Sequence, residues 1–373
     1  MIKEKPFRVY IQSNSPGELT AWVSPLLEAL ALSQEDIEVI VLLTPCQYAS
    51  GREYDIASAY PLVTRVLRPK ETLRFIFSWP FLRREKGLVV FLGGDPLYTQ
   101  LISLKLGIPA LGYSERHADL GFRFKRTFMR GSEFDLMYDH VQIQKQAIDN
   151  SSSKQEIDLL FFPGSRPQHF NLLFPFYIDV AKKLLEEDPT LKIAFQISPF
   201  ISSEVLNGFS SDLEGLSGVQ MRCSDSVESL MFTRLLVSIP GTNTAEAMYL
   251  ETPMLVLMPL NHPERIILDG AAGLIDKIPF VGLWIKKKIL AWLAQKKPML
   301  SHPNRRAKTK IVPEIIAVLE RDDIVKTIRQ LLRDSDSLVR IKKALASLNP
   351  SQNCAEAMKN EIVALKALQK GDL

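Results

Sequence analysis

Cysteine is scarce in this 373-residue sequence: Cys46, Cys223 and Cys354 stand far apart, with no CxxC pair. Three scattered thiols make neither a disulfide framework nor a zinc site and point to a reducing compartment. Charge of one sign is scarce too, the net excess being +4. A nucleic-acid binder would be more basic and more clustered, so nucleic acid is not expected as a partner, whereas a modest positive excess suits anionic lipid. No uncharged apolar run reaches the about 20 residues that a membrane-spanning helix needs. The opening residues, MIKEKPFRVYIQS, run straight into a strand pattern without the apolar region of a secretory signal, so a soluble or peripheral protein is expected. The loops described below match neither GxxxxGK[ST] nor GxGxxG, which speaks against a nucleoside triphosphatase and a dinucleotide enzyme. His140, His169, His262 and His302 share no ligand spacing, and no metal is expected.

What the chain does have is a globular balance, 46% hydrophobic and 24% charged, with length for two domains. Short apolar runs alternate with helical patterns. Strands are expected at Phe7 to Gln12, Glu38 to Leu43, Thr64 to Leu67, Leu88 to Leu92 and Pro109 to Tyr113, with helices over Leu19 to Leu32 and Pro96 to Leu106. The polar stretch Asp149 to Gln155 reads as a linker. Beyond it come strands at Asp158 to Phe162, Lys192 to Ile197, Val219 to Arg222, Leu235 to Ile239 and Met254 to Met258. Helices over Phe170 to Leu185, Ser226 to Phe232 and Ala245 to Leu250 intervene. Strand–helix alternation of this kind is the pattern of a doubly wound parallel sheet, here twice, over residues 1–150 and 156–335. Residues 336–373 form a helical tail, broken at Asn349-Pro350, that returns to the first domain or reaches a partner subunit, as in a homodimer.

Ligands of such sheets sit outside the carboxyl ends of the strands. In the second half those ends carry Gly164, Ser165 and Arg166, then Gly241, Thr242, Asn243 and Thr244. Both are strand-to-helix turns that leave amides at a positive helix end, a seat for phosphate, and the Arg166 fork suits a diphosphate. Glu246, one turn into its helix, is placed to accept from a ribose or sugar hydroxyl. A diphosphate held without a P-loop lysine is typical of a nucleotide-sugar; the bland reading is an ordinary α/β crossover. In the first half the strand ends carry Ser13 to Glu18, Asp95, and Tyr113 to His117. Asp95 is placed either as a general base on a sugar hydroxyl or as the N-cap of the helix opened by Pro96. His117 is the alternative base, or a solvated loop histidine.

Two segments carry aromatics beside cations, as an interfacial segment does. One holds Phe75, Phe77, Trp79 and Phe81 with Arg74, Arg83 and Arg84. The other, Ile278 to Ala294, holds Trp284 and Trp292 with Lys286, Lys287 and Lys288. Peripheral membrane attachment is expected; core helices with snorkelling lysines are the alternative.

Together these motifs resemble the lipid-A-disaccharide synthase family. PGSR at Pro163 to Arg166 is similar to that family's second-domain loop, and SIPGTNTAEAMYLETPMLV to its SGTAALEAMLLKxPMVV segment. SHPN at Ser301 to Asn304 and IVPE at Ile311 to Glu314 resemble its SLPN and VPE pieces, and GGDPLYTQLISLKLGIPALGYS resembles its GIDAPDFN region and the strand after it. The resemblance implies a GT-B fold, two facing Rossmann-like domains with a cleft between them. It implies an inverting transferase, a UDP-diacylglucosamine donor and a lipid acceptor, working without cofactor or metal at the cytoplasmic face of the inner membrane of a bacterium. By position, Asp95 matches the family's base, Arg166 its diphosphate arginine, Glu246 its nucleotide glutamate and Asn304 its motif asparagine. The departures fall on the acceptor side. AGExSGD becomes Ser15 to Ala21, keeping Gly17 and Glu18. SPSxWAW becomes Ser114 to Asp119, beside Tyr113 and His117. A different lipid acceptor, a UDP-N-acetylglucosamine 2-epimerase-like enzyme, a cell-wall lipid transferase and a non-catalytic UDP-sugar or lipid binder remain the competing expectations.

Overall fold

The computed structural model describes residues 6–46, 51–79, 85–115, 117–149, 155–165, 167–199, 201–213, 216, 218–223, 226–261, 288, 295–296 and 298–371. The described chain divides into two compact units. One comprises Met1–Ile143 with Pro350–Leu373, the other Gln144–Asn349.

The first unit is built on β1 (Phe7–Ser13), β2 (Ile37–Leu43), β3 (Val63–Leu67), β4 (Gly87–Phe91), β5 (Ala110–Ser114) and β6 (Phe124–Met129). They form one six-stranded sheet in the order β3-β2-β1-β4-β5-β6, parallel throughout. Its inner strands are apolar on both faces, as a sheet covered on both sides requires. Val9, Ile11, Val39, Val41 and Val90 point into one layer; Tyr10, Ile40, Leu42 and Val89 point into the other. After β1 come α1 (Pro16–Glu18), a π-helical turn at Leu19–Val23 and α2 (Ser24–Leu32). The remaining helices are α3 (Glu53–Ala59), α4 (Pro69–Phe77), α5 (Pro96–Leu106) and α6 (Leu136–Asp149).

The second unit repeats the plan with β7 (Ile157–Phe162), β8 (Ile193–Gln196), β9 (Gln220–Arg222), β10 (Thr233–Ser238), β11 (Met254–Pro259) and β12 (Glu314–Ala317). Its order is β12-β11-β10-β7-β8-β9, again all parallel. Helices α7 (Pro167–Glu187), α8 (Ser203–Asn207), α9 (Ser210–Leu213), α10 (Ser226–Met231), α11 (Thr242–Tyr249), α12 (His302–Ala307), α13 (Arg321–Arg333) and α14 (Ser335–Ala346) accompany it. Phe161, Phe174, Tyr177 and Phe195 pack ring against ring in its core. In both sheets the first strand of the unit lies beside the fourth, and there the winding direction reverses. Those reversals, β1/β4 and β7/β10, are the crevices where such sheets bind ligands.

The tail divides differently from the expected 336–373 segment: α14 belongs to the second unit, and only the chain from Pro350 belongs to the first. The last helix, α15 (Cys354–Gly371), lies against α2. Lys366 Nζ donates to Glu35 Oε2 at 2.8 Å and to the Asp36 carbonyl at 2.7 Å, and Gln369 pairs with the backbone of Gly87. The Asp139 carboxylate accepts from Ala355 N at 2.7 Å, capping this helix. Burial pushes the Asp139 carboxyl up to about 7, against the bonds from Ala355 and Cys354. Two strands lack a counterpart among the expected ones. β6 (FKRTFM) carries too many cations to read as a buried run, and β12 (EIIA) is four residues long.

Candidate functional site

The reversal in the second unit brings together the two loops expected to hold a diphosphate. Gly164 follows β7 with φ +109°, a conformation that side chains rarely adopt, and a Cβ there would meet Ile239 and His169. Ile239 belongs to the loop after β10, so the two turns are in contact. Gly241 is the N-cap of α11, with extended backbone and no side-chain cap of its own; Thr244 N donates to the Gly241 carbonyl at 3.1 Å, and a helix start of this kind favours an anion. A Cβ on Gly241 would lie 2.9 Å from Asn243 Oδ1. Thr242 and Ser165 are exposed, whereas Asn243 is buried with its amide donated to Ser238 Oγ. Arg166 lies outside the described residues.

Glu246 accepts from Ser226 Oγ at 2.7 Å, on the α10 side of the same helix end. Its intermediate burial leaves it within reach of solvent. Thr244 is fully buried: its hydroxyl donates to the Gly241 carbonyl at 2.7 Å and accepts from His302 N at 3.2 Å. Thr244 therefore braces the loop from behind.

Asn304 departs from the expected ligand role. It is fully buried, and each polar atom is taken within its own loop. Oδ1 accepts from Ile311 N at 2.8 Å and Val312 N at 2.9 Å. Nδ2 donates to the Val312 carbonyl at 2.9 Å and to Glu314 Oε1 at 2.8 Å. An amide offers two donors and two acceptor positions, and all four are filled. Glu314 also receives Ser301 N at 2.8 Å and Leu300 N at 3.1 Å. The SHPN and VPE pieces thus form one clamp that fastens α12 to β12.

In the first unit, the reversal lies between the loops after β1 and β4. Gln12 is buried at the end of β1; its amide donates to the carbonyls of Gly93 at 2.9 Å and Asp95 at 3.0 Å, and Thr99 Oγ1 donates back to it at 2.6 Å. That clasp sets the position of Asp95. The Asp95 side chain is exposed and accepts from Leu97 N at 2.9 Å, the N-cap of α5. Gly93 and Gly94 have φ of +128° and +85°. A Cβ on Gly93 would strike the Glu18 carboxylate, and one on Gly94 would lie 2.9 Å from Thr44 Oγ1. Among the described residues, the buried Thr44 hydroxyl has no hydrogen-bond partner.

Glu18 closes a capping box with Ser15, its Oε2 accepting from Asn14 N at 3.1 Å and Ser15 N at 3.2 Å. Burial, with Glu115 nearby, raises its carboxyl to about 7 although those amides pull the other way. Gly17 is partly exposed in the same turn. Sequence reasoning placed Glu18 at this edge and missed its burial, because the covering residue, Gly93, is remote in the chain.

Tyr113 was expected to face an acceptor and does not. It is fully buried, its ring edge-on to Trp22 at 5.2 Å and its hydroxyl donating to Asp135 Oδ1 at 3.1 Å. Desolvation holds that phenol well above its ordinary range. Ser114 is buried and accepts from His117 N at 3.1 Å; His117 itself is exposed. Arg130 ties Asp135 to Glu115, which stands at the same strand ends.

Phe77 and Trp79 are 67% and 82% exposed at the end of α4, so that part of the aromatic segment presents its rings outward. Phe81, Trp284 and Trp292 lie outside the described residues. Among the described residues no helix is long and apolar enough to cross a membrane, and no group of His, Cys, Asp and Glu is placed to hold a metal ion.

No protein-family model matches the chain. It is 26% identical over 230 residues to the lipid-A-disaccharide synthase of Hydrogenovibrio crunogenus, covering 58% of this chain and 54% of that protein. The chain thus spans about half the length of that curated relative. A UDP-GlcNAc 2-epimerase from Neisseria meningitidis, solved bound to UDP-GlcNAc, is similar in structure with a TM-score of 0.54 and 11% identity, covering 97% of this chain and 100% of that one. A putative UDP-N-acetylglucosamine 2-epimerase from Listeria monocytogenes gives a TM-score of 0.56 at 11% identity, covering 99% and 98%. At such identities the likeness carries the fold, and the fold is the two-unit α/β architecture of GT-B proteins.

Proposed function

We propose that the protein is an inverting glycosyltransferase that moves an acylated glucosamine from a UDP-sugar to a lipid-linked acceptor at the cytoplasmic face of a membrane. The observation that carries this reading is the β7/β10 reversal. Two glycine turns meet there at a helix start whose N-cap is Gly241, and Glu246 stands one turn further on. The diphosphate is held by the amides of the Gly164 and Gly241 loops with Arg166, and Glu246 accepts from a hydroxyl of the nucleotide or sugar. The partial likeness to a lipid-A-disaccharide synthase supports the donor class. The exposed rings of Phe77 and Trp79 support the lipid side.

In the reaction, the acceptor hydroxyl attacks the anomeric carbon, its proton goes to a general base, for which the family resemblance points to Asp95, and the carbon–oxygen bond to the diphosphate breaks. UDP departs with the electron pair into the helix-end amides, which stabilise the charge that develops on it. Asp95 and Glu18 are the carboxylates at the β1/β4 reversal. No resident cofactor takes part.

A second reading, a UDP-N-acetylglucosamine 2-epimerase-like activity, is favoured by the whole-chain likeness to epimerase structures. One experiment separates them: UDP release from UDP-acylglucosamines and from UDP-N-acetylglucosamine, with and without acylated glucosamine phosphates in detergent. Release that depends on the lipid acceptor is expected. Release without acceptor, with inversion at carbon 2 of the sugar, would replace the transferase reading with the epimerase one.

A further inference from the structure

We propose that the second unit holds a separate binding site for an aliphatic anion, a hydrocarbon chain with an acidic head, in the groove between the loop that enters β12 and helices α13 and α14. The site is additional to the proposed transfer reaction and does not depend on it.

The groove lies within the second unit and encloses about 560 Å³. That is within the about 300–1,000 Å³ of small-molecule sites. One wall is the 310–314 loop, and the other is α14, with Leu331 of α13 between them. Ser337, Arg340, Ile341 and Ala344 recur at helical spacing, so α14 presents a single stripe to the groove.

Both walls are fixed by their own bonds. Ile311 N and Val312 N donate to Asn304 Oδ1, and Asn304 Nδ2 donates to the Val312 carbonyl. Helix α14 is capped by Asp334, which accepts from Ser337 N at 2.8 Å, and it buries Leu338, Ile341 and Leu345. A groove between two walls already set loses little on ordering when a ligand enters.

The lining selects the ligand. Ile311, Val312, Leu331, Ile341 and Ala344 make an aliphatic floor. Among the described residues that line the groove none is aromatic, so a nucleobase finds no ring to stack on, whereas an alkyl chain gains simply by leaving water. The rim is cationic. Lys310 and Arg340 are exposed, one on each wall. Lys310 makes no ion pair among the described residues, and Arg340 has a long contact of 3.9 Å to Asp334. Glu314 is the carboxylate in the lining, and it is taken up by Leu300 N, Ser301 and Asn304. An acidic head therefore sits at the rim, where the Arg340 fork can meet two of its oxygens, and the chain lies along the floor.

The test titrates the full chain by calorimetry with decanoate and decyl phosphate, each below its micelle concentration, and with decanol and inorganic phosphate as the two halves of the ligand. One site per chain is expected, with at least one amphiphilic anion about tenfold or more tighter than decanol and inorganic phosphate. The tighter of the two anions identifies the head as carboxylate or phosphate. Lys310→Glu combined with Arg340→Glu should weaken that anion by about tenfold or more. Ala344→Leu, which sets a larger side chain over the floor, should weaken it by about fivefold or more. Melting temperatures should stay within about 2 °C of wild type, since both cations are exposed and leucine suits a helix. The four-ligand comparison on wild type needs no variant. No saturable binding there, decanol or inorganic phosphate as tight as the amphiphilic anions, or unchanged affinity in either variant would overturn the assignment.

Discussion

Replacing Asn304 with alanine separates a structural clamp from a ligand contact. The amide side chain is fully buried and makes four hydrogen bonds, to the backbone of Ile311 and Val312 and to Glu314. Alanine leaves two buried N–H groups and one carbonyl unpaired and removes a donor from the Glu314 carboxylate. At about 1 kcal/mol per net bond, with more for each orphaned N–H, the loss is about 3–5 kcal/mol. A unit of this size loses about 2–4 °C for each kcal/mol, so the melting temperature should fall by about 6–20 °C. Asn304→Asp is the sharper control, because it keeps both acceptor positions but sets a second carboxylate against Glu314. It should destabilise at neutral pH and recover in part as the pH is lowered. Differential scanning fluorimetry reads the stability and calorimetric titration reads UDP. An unchanged melting temperature with UDP affinity down by about tenfold, 1.4 kcal/mol, would refute the clamp and return Asn304 to the ligand.

Two further predictions concern the first unit. The Asp139 carboxyl under α15 is raised from 3.8 to about 7. Below pH 3.8 it is protonated whether folded or unfolded; between 3.8 and about 7 only the folded chain keeps the proton, so stability falls as pH rises through that window and levels off above it. Asp139→Asn should therefore reduce the decline in unfolding free energy between about pH 5 and 8 by about 2–3 kcal/mol; urea-melt curves that run parallel to wild type at every pH would contradict this. Phe77→Ser combined with Trp79→Ser should cut co-sedimentation with anionic vesicles by about fivefold or more, and raise the melting temperature or leave it level, since both rings are exposed. Equal sedimentation of the variant would refute the lipid-facing role.

How far the fold was legible follows from where its signals lie. Buried parallel strands such as Leu88 to Leu92 and Leu235 to Ile239 announce themselves as apolar runs, and the glycines after them mark the loops that the reversal brings together. Both features are local. The edge strands Phe124–Met129 and Glu314–Ala317 were not legible, because a half-exposed edge tolerates Lys125 and Arg126, and a strand of four residues has no period to count. Side-chain roles failed wherever the deciding partner is distant. Tyr113 looked like an edge residue until Asp135, 22 residues on, took its hydroxyl inside the core. Asn304 looked like a motif asparagine until Glu314 and the Ile311 turn filled all its bonding positions. Asp95 reads by sequence as a cap and by resemblance as a base, and the structure shows the bond to Leu97 N that a cap makes. Glu18, placed by sequence at the acceptor edge, is a half-buried acid because Gly93 of another loop covers it.

The proposed diphosphate seat is the start of α11 at Gly241, and Thr242 gives the most direct access to it. Thr242 is exposed at the first position of that helix, where a carboxylate favours the helix by about 0.3–1 kcal/mol and repels a phosphate in the same place. Calorimetric titration of wild type and Thr242→Glu with UDP should show binding to the wild type and a loss of about a hundredfold in the variant, with its melting temperature equal or higher. UDP binding to Thr242→Glu as tight as to wild type would contradict the central claim.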